Sequence, residues 1–106
     1  MNLVSVVQLS LQAQWFALEA DRRQAMRRQA FEVLTRHPDI ESRWFGADPW
    51  AGNGLEFLTC EFSSLHAYWA FWNELREQPM FRPPIAEIVR VSLGYERSLT
   101  RGLVDT

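Results

Sequence analysis

Four stretches of alternating or densely apolar residues predict four β-strands along the chain. The first runs from Leu3 to Leu11 and the second from Asp39 to Ala47. The third runs from Leu55 to Phe62 and the fourth from Ile85 to Tyr95. Because successive side chains point to opposite sides of a strand, each stretch presents two faces of different polarity.

Two other stretches repeat apolar residues every three or four positions, which predicts helices with one buried side. The first helix is predicted over Arg22 to Arg36, with Asp21 as its N-cap and His37-Pro38 as its end. Its buried stripe comprises Met26, Ala30, Val33, Leu34 and His37. The second helix is predicted over Leu65 to Gln78, with a serine N-cap at Ser63-Ser64. Its buried stripe comprises Leu65, Tyr68, Trp69, Trp72 and Leu75.

The order of these elements, β-α-β-β-α-β, predicts a single α+β domain over residues 1–106. A right-handed split β-α-β connection gives a ferredoxin-like, four-stranded antiparallel sheet with both helices on one face. The core is predicted over residues 3–95, with a turn at 48–54. Residues 96–106 are polar, and we expect them to form a flexible tail.

The hairpin between the second and third strands assigns side chains to the two faces of the sheet. With a turn centred near Ala51, Arg43 lies opposite Thr59 and Glu61 becomes its diagonal neighbour. The face predicted to lie under the helices holds Leu3, Val7, Leu9, Ile40, Trp44, Leu58, Cys60, Phe62, Val89, Val91 and Leu93. The opposite face, called the open face below, is predicted to hold Val4, Val6, Gln8, Glu41, Arg43, Phe45, Phe57, Thr59, Glu61, Ile88 and Arg90.

The open face combines aromatic and aliphatic residues with a few charges, and we expect a second copy of the chain to cover it. Burying roughly 600 Å² of apolar surface there would contribute about 15 kcal/mol before entropic losses. Two such sheets packed face to face form a dimeric α+β barrel. An apolar chamber with a few convergent polar groups is the usual form of a small-molecule site.

Composition narrows the partners and the compartment. The 106-residue chain has a formal net charge of -2, which predicts no general attraction to nucleic acid or to an acidic membrane. No stretch approaches the roughly 20 apolar residues of a membrane span. Cys60 is the one cysteine, so no intrachain disulfide can form, and Met1 to Leu11 lacks the positive start of a secretory signal. These features predict a cytoplasmic protein.

Several segments between Val4 and about Glu96 resemble the darcynin family of small bacterial proteins. The segments are Gln14-Trp15-Phe16-Ala17-Leu18, Arg22-Arg23, Thr35-Arg36-His37-Pro38, Arg43-Trp44-Phe45, Leu65-His66-Ala67-Tyr68 and Glu74-Leu75-Arg76-Glu77-Gln78-Pro79-Met80-Phe81. The resemblance implies a ferredoxin-like, dimeric α+β-barrel relative whose biochemical role is poorly defined, and it supplies no catalytic residues. His66 and Gln78 stand where acidic residues are expected in that family, so a charge-based role there is not carried over.

The open face supplies the candidate site residues. Arg43 and Glu61 are the candidate catalytic pair, one orienting a carboxylate or phenolate and the other accepting a proton. The alternative for this pair is a cross-strand ion pair of little energetic value. Gln8 and Arg90 are candidate donors to an oxygenated ligand, or else solvated rim and dimer-contact residues. Candidate wall residues are Phe45, Phe57 and Trp15, and Trp50 is a further aromatic at the chamber mouth.

Other chemistries find little support. Cys60 lies at a core position, and His66 is expected on the surface. The two histidines lie far apart without a metal-binding spacing, so we expect no metal and no cofactor. The element order also suits an RNA-recognition module, but Leu55 to Phe62 lacks the glycine and basic residue that such a module carries on its third strand. We therefore expect no nucleic-acid partner.

The sequence thus predicts a homodimer that binds a small hydrophobic, oxygenated metabolite of secondary metabolism. Its reaction would be that of a cofactor-independent monooxygenase-, isomerase- or cyclase-like enzyme. The alternative is a non-catalytic binding or accessory protein that uses the open face only to dimerise. The residue pattern leaves open the substrate and any part played by dioxygen or haem, because fold does not fix function.

Overall fold

The computed structural model describes residues 2–46 and 54–97, and the elements in these ranges follow the predicted order. They are β1 (Leu3–Leu11), α1 (Ala13–Ala17), α2 (Ala20–Arg36), β2 (Glu41–Phe45), β3 (Leu55–Phe62), α3 (Leu65–Leu75), a short 3-10 helix (Pro79–Phe81) and β4 (Ala86–Tyr95). The turn predicted at 48–54 falls almost wholly outside the described residues, as do Trp50 and most of the predicted tail. Within the two described ranges, every helix is too short or too polar to cross a bilayer.

The four strands form one antiparallel sheet in the order β2-β3-β1-β4. The predicted ferredoxin-like α+β fold is therefore confirmed. Arg43 lies opposite Thr59 in the β2–β3 pair, as the hairpin pattern predicts. Because the side-chain period of a strand is two, this pairing fixes which β2 and β3 residues share a face, and the burial of Leu58, Cys60 and Phe62 identifies the face under the helices.

One irregularity in β4 changes which of its side chains face the helices, compared with the prediction. Leu9 pairs with Ile88 whereas Gln8 pairs with Arg90, so Val89 is an extra residue in β4 at this point. Such a bulge reverses the alternation of side chains beyond it. Ile88 consequently packs against the core and not on the open face, whereas Val89, predicted to lie under the helices, is exposed.

The core lies between the sheet and the helices α2 and α3. Alternate residues of β1 and β3 are buried, and Met26, Ala30 and Val33 of α2 cover them. The rings of Phe62 and Tyr68 stack at a centroid distance of 4.3 Å. The buried stripes of the sheet and helices thus meet in one continuous apolar cluster.

The buried side of α3 differs from the predicted stripe. Phe71 is 0% exposed, although the prediction omitted it, whereas Leu65 and Trp69 are exposed. Most α3 positions are apolar, so helical spacing alone could not select one side. In the observed rotation of the helix, Tyr68 stacks on Phe62, Phe71 is buried and Trp69 is exposed.

The helix boundaries depend on local hydrogen bonds. The hydroxyl of Ser64 accepts a hydrogen bond from the backbone N–H of Ala67 at 3.1 Å, which confirms the predicted serine N-cap of α3. Asp21 is not the N-cap of α2, because that helix begins earlier, at Ala20, with Glu19 as the N-cap. The α3 helix ends at Leu75, before the predicted Gln78.

A cluster of charged groups ties the end of α2 to α3. Arg36 donates hydrogen bonds to the carboxylate of Glu74, and His37 Nε2 lies 2.7 Å from Glu74 Oε2. The ring of His37 also meets Phe71 edge-on at 5.5 Å. Hydrogen bonds from His37 and then Arg36 lower the pKa of Glu74 from its ordinary value.

We predict that Glu74 contributes stability at neutral pH that is lost in acid. Because the folded state lowers its pKa, the contribution is present above the ordinary value of 4.5 and declines as the pH falls through the folded value. The Glu74→Gln variant should therefore lose stability at pH 7 and show a shallower decline in the free energy of unfolding below that value. Urea denaturation between about pH 3 and pH 7 measures this. If the free energy of unfolding depends on pH equally in Glu74→Gln and in the exposed-site control Glu77→Gln, the prediction is contradicted.

Candidate functional site

The sheet register brings four predicted site residues into one row on the open face. Phe45 pairs with Phe57, Phe57 pairs with Gln8, and Gln8 pairs with Arg90. The row therefore crosses all four strands, from β2 to β4, with two aromatic side chains at one end and two polar side chains at the other. The described helices pack on the opposite face of the sheet.

Arg43 and Glu61 lie in the two neighbouring rows. Arg43 pairs with Thr59, one row from Phe45, and Glu61 pairs with Glu41, one row further along the strands. The guanidinium of Arg43 lies 5.3 Å above the ring of Phe45. Among the described residues, no ion pair joins Arg43 to Glu61.

The acidic end of the open face is electrostatically unfavourable by itself. Glu41 and Glu61 are directly opposite each other on β2 and β3, and both are exposed. Like charges at this spacing destabilise a strand pair. A cation from a ligand or from another protein surface would relieve that repulsion.

Trp15 does not belong to this face. Its side chain is buried in the core, and the guanidinium of Arg27 lies 5.0 Å above its ring. The short helix α1 turns Trp15 toward the helix-covered face of the sheet, so the predicted wall role on the open face is corrected. The structure separates Trp15 from the row that holds Phe45 and Phe57.

The sequence reasoning missed a buried carboxylate on the helix-covered face. The side chain of Glu56 is 4% exposed and forms a double hydrogen bond with Arg27. Arg27 Nη1 donates to Glu56 Oε1 at 3.0 Å, and Nη2 donates to Oε2 at 2.8 Å. The indole N–H of Trp44 donates to the same Oε1 at 2.7 Å. These bonds compensate the cost of burying the carboxylate.

The alternation of buried residues along β3 could have revealed that Glu56 is buried. It has the same parity as Leu58, Cys60 and Phe62, all of which are buried. A carboxylate among core positions requires a cationic or donor partner, since an unpaired buried charge is strongly unfavourable. The partner, Arg27, lies 29 residues away in the chain, and no local pattern identifies it.

A cleft of about 340 Å³ opens beside this buried ion pair. Among the described residues, those that line it are Arg27, Phe31, Trp44, Gly46, Glu56 and Met80. Trp44 is held in place by its edge-on contact with Phe81, at a centroid distance of 5.4 Å. The cleft therefore combines aromatic and thioether walls with one fixed guanidinium, in a volume near the lower end of small-molecule sites.

Two further sequence predictions concern reactive groups. Cys60 is fully buried, and burial raises its pKa to about 11, so the thiol stays protonated near neutral pH. The prediction that Cys60 lies in the core is confirmed. His66 is exposed at the start of α3, as predicted.

Comparison with known proteins finds relatives only at the level of structure. No family model matches the chain, and no curated protein matches it in sequence. Chlorite dismutase from Candidatus Nitrospira defluvii in complex with imidazole is 15% identical, with a TM-score of 0.73 over 93% of this chain and 42% of that one. A mutant of the same dismutase is 8% identical, with a TM-score of 0.76 over 92% of this chain and 40% of that one.

MupZ from Pseudomonas fluorescens has the same fold in a chain of more similar length. It is 10% identical, with a TM-score of 0.63 over 95% of this chain and 77% of that one. The chain spans about two fifths of the length of the chlorite dismutases that it matches. These likenesses show the α+β fold alone, and at such low identity they carry no information about ligand or reaction.

We predict that the buried carboxylate of Glu56 needs Arg27 as its partner for the fold to be stable. The Arg27→Met variant should lower the free energy of unfolding by about 3 kcal/mol, because it leaves a buried carboxylate without its cation. The double variant Arg27→Met/Glu56→Leu should regain most of that loss, since it removes the charge as well. Chemical denaturation measures both changes, with the exposed neighbour Arg28→Met as the control. If Arg27→Met and Arg28→Met unfold at the same denaturant concentration, the pair is not structural.

Proposed function

We propose that the chain forms a homodimer in which two open faces enclose a chamber for a small hydrophobic, oxygenated metabolite. The observation that carries the proposal is the row formed by Phe45, Phe57, Gln8 and Arg90 on a sheet face that no described helix covers. Aromatic walls with a few convergent donors suit a ligand with an apolar body and polar oxygens.

The two ends of the Phe45–Arg90 row favour a second copy of the chain as the cover. Phe45 lies on β2 at one edge of the sheet, whereas Arg90 lies on β4 at the opposite edge. A two-fold axis parallel to the strands would place the β4 edge of each copy over the β2 edge of the other. Because such an axis keeps each row at the same position along the strands, Arg90 of each copy would lie over the aromatic ring of Phe45 in the other copy.

We assign Arg43 and Glu61 the catalytic roles in this chamber. Arg43 would bind a carboxylate or phenolate oxygen, and Glu61 would accept a proton from the adjacent carbon or hydroxyl. A cation and a carboxylate suit proton transfer, which an isomerase- or cyclase-like reaction requires without a cofactor. Monooxygenase-like chemistry on an electron-rich ligand is the third reaction class that we include.

The proposal also covers the family, the cellular location and the type of metabolite. Membership of the darcynin family rests on the segment resemblances described above, and the α+β-barrel fold is compatible with it. A cytoplasmic location suits a chain whose Cys60 is a buried, unreactive thiol. A metabolite of secondary metabolism suits an aromatic-lined chamber.

We predict a dimer at micromolar concentration that depends on the centre of the open face. Thr59 lies between Val6 and Arg43 in the middle row, so Thr59→Arg should convert the dimer to a monomer by placing two new charges at the interface. Sedimentation velocity measures the change. Val91→Arg, on the helix-side surface of β4, is the matched control and should remain dimeric. A monomeric wild type, or dissociation by Val91→Arg alone, would contradict the open-face dimer.

We predict that a planar aromatic ligand raises the melting temperature through Arg43. With 1,8-dihydroxyanthraquinone as the probe, the wild-type protein should show a stabilising thermal shift that Arg43→Ala removes. The exposed helix variant Arg28→Ala should retain it. A shift of equal size in Arg43→Ala would remove Arg43 from the site. A dimer without any shift would favour the accessory-protein alternative.

A further inference from the structure

We propose that the cleft bordered by Arg27, Phe31 and Trp44 is a second ligand site, which binds a small aromatic carboxylate. It lies on the helix-covered side of the sheet, because Trp44 and Glu56 have the opposite parity to the open-face residues Phe45 and Phe57. All of its described lining residues belong to one protomer, so the proposal does not depend on the dimer.

A pre-positioned guanidinium is the first feature of this site. Glu56 fixes Arg27 through two hydrogen bonds, and the ring of Trp15 packs beneath the guanidinium. The Arg27 side chain nevertheless remains 41% exposed. A guanidinium carries five N–H donors, of which the carboxylate of Glu56 engages two. The remaining edge can bind a ligand oxygen with little loss of side-chain entropy.

Charge around the cleft favours an anion. Arg27 and Glu56 neutralise each other, and the part of α2 from Ala20 to Glu32 adds Arg22, Arg23 and Arg28 against Asp21 and Glu32, which leaves an excess of positive charge. Arg23 also lines the neighbouring depression, together with Trp15 and Arg27. The local field therefore attracts a carboxylate to the exposed edge of Arg27.

The apolar residues that line the cleft favour a ligand with a flat, apolar ring system. Phe31 on α2 is 55% exposed, although it is a large apolar residue that would ordinarily be covered. Trp44 and the fully buried Met80 form the other walls. A volume of about 340 Å³ accommodates a one- or two-ring molecule and is small for a larger ligand. Apolar walls around one cationic group match an aromatic ring that carries one carboxylate.

The test is a titration with 1-naphthoate followed by the indole N–H signals in a two-dimensional NMR spectrum. We expect the Trp44 indole signal to shift with a dissociation constant of about 1 mM or below. The neutral analogue 1-naphthalenemethanol should bind about tenfold more weakly, since it cannot form the charge-assisted bond with Arg27. Equal binding of the two probes would overturn the carboxylate assignment.

Matched variants locate the binding. Phe31→Ala should weaken 1-naphthoate binding about fivefold or more, and Phe31 is exposed enough for the fold to tolerate the change. Phe16→Ala removes an aromatic ring of similar exposure (58%) that does not line the cleft, and it should bind like the wild type. The double variant Arg27→Met/Glu56→Leu should bind about tenfold more weakly or not at all. Unchanged affinity in Phe31→Ala and in the double variant would overturn the proposal.

Two open-face variants separate this proposal from the dimeric chamber. Arg43→Ala and the monomeric Thr59→Arg should both bind 1-naphthoate as the wild type does. If either variant abolishes the Trp44 shift, the ligand binds at the open face and the cleft is not a site. If the wild type is a monomer and still binds 1-naphthoate through Arg27 and Phe31, the proposal of a dimeric chamber is wrong and the proposal of a ligand site in the cleft is supported.

Discussion

The rest of the molecule depends on the packing of α2 and α3 onto one face of the four-stranded sheet. Apolar alternation in β1 and β3 matches the buried sides of both helices, and the stacked pair Phe62–Tyr68 fixes how α3 lies on the sheet. This one-sided cover gives the two faces different chemistry. One face becomes a closed apolar core, and the other keeps polar and aromatic side chains in aligned rows.

One-sided packing also explains why a charged network lies inside the protein. Position 56 belongs to the covered face by parity, so a glutamate there must be buried and must find a cation on the overlying helix. Arg27 meets that need while retaining a solvent-facing edge. The Arg27–Glu56 ion pair thereby holds a hydrogen-bond donor in place beside an apolar cleft. The same pair thus links the stability of the core to the proposed ligand site.

The helices do not cover the whole sheet. Beyond the bulge at Val89, the helix-side residues Val91, Leu93 and Tyr95 of β4 remain exposed, because the described helices lie over β1 to β3 and the first part of β4. An exposed edge strand with apolar side chains readily associates with another protein surface. This exposed apolar edge is separate from the open face on which the proposed dimer depends.

The sequence by itself determined the element order, the bounds of the two central strands and the hairpin register, because a period of two and a turn constrain these locally. Placement of Arg43 opposite Thr59 followed from that register, and strand alternation placed Gln8 and Arg90 on the same open face. The tertiary structure alone decided which side of α3 is buried, where β4 bulges, and that Trp15 enters the core. It also paired Glu56 with Arg27 across 29 residues. Local spacing indicates which side chains share a face. It does not determine how a uniformly apolar helix is rotated, or which distant residue pairs with a buried charge. Both depend on contacts that exist only after the chain has packed.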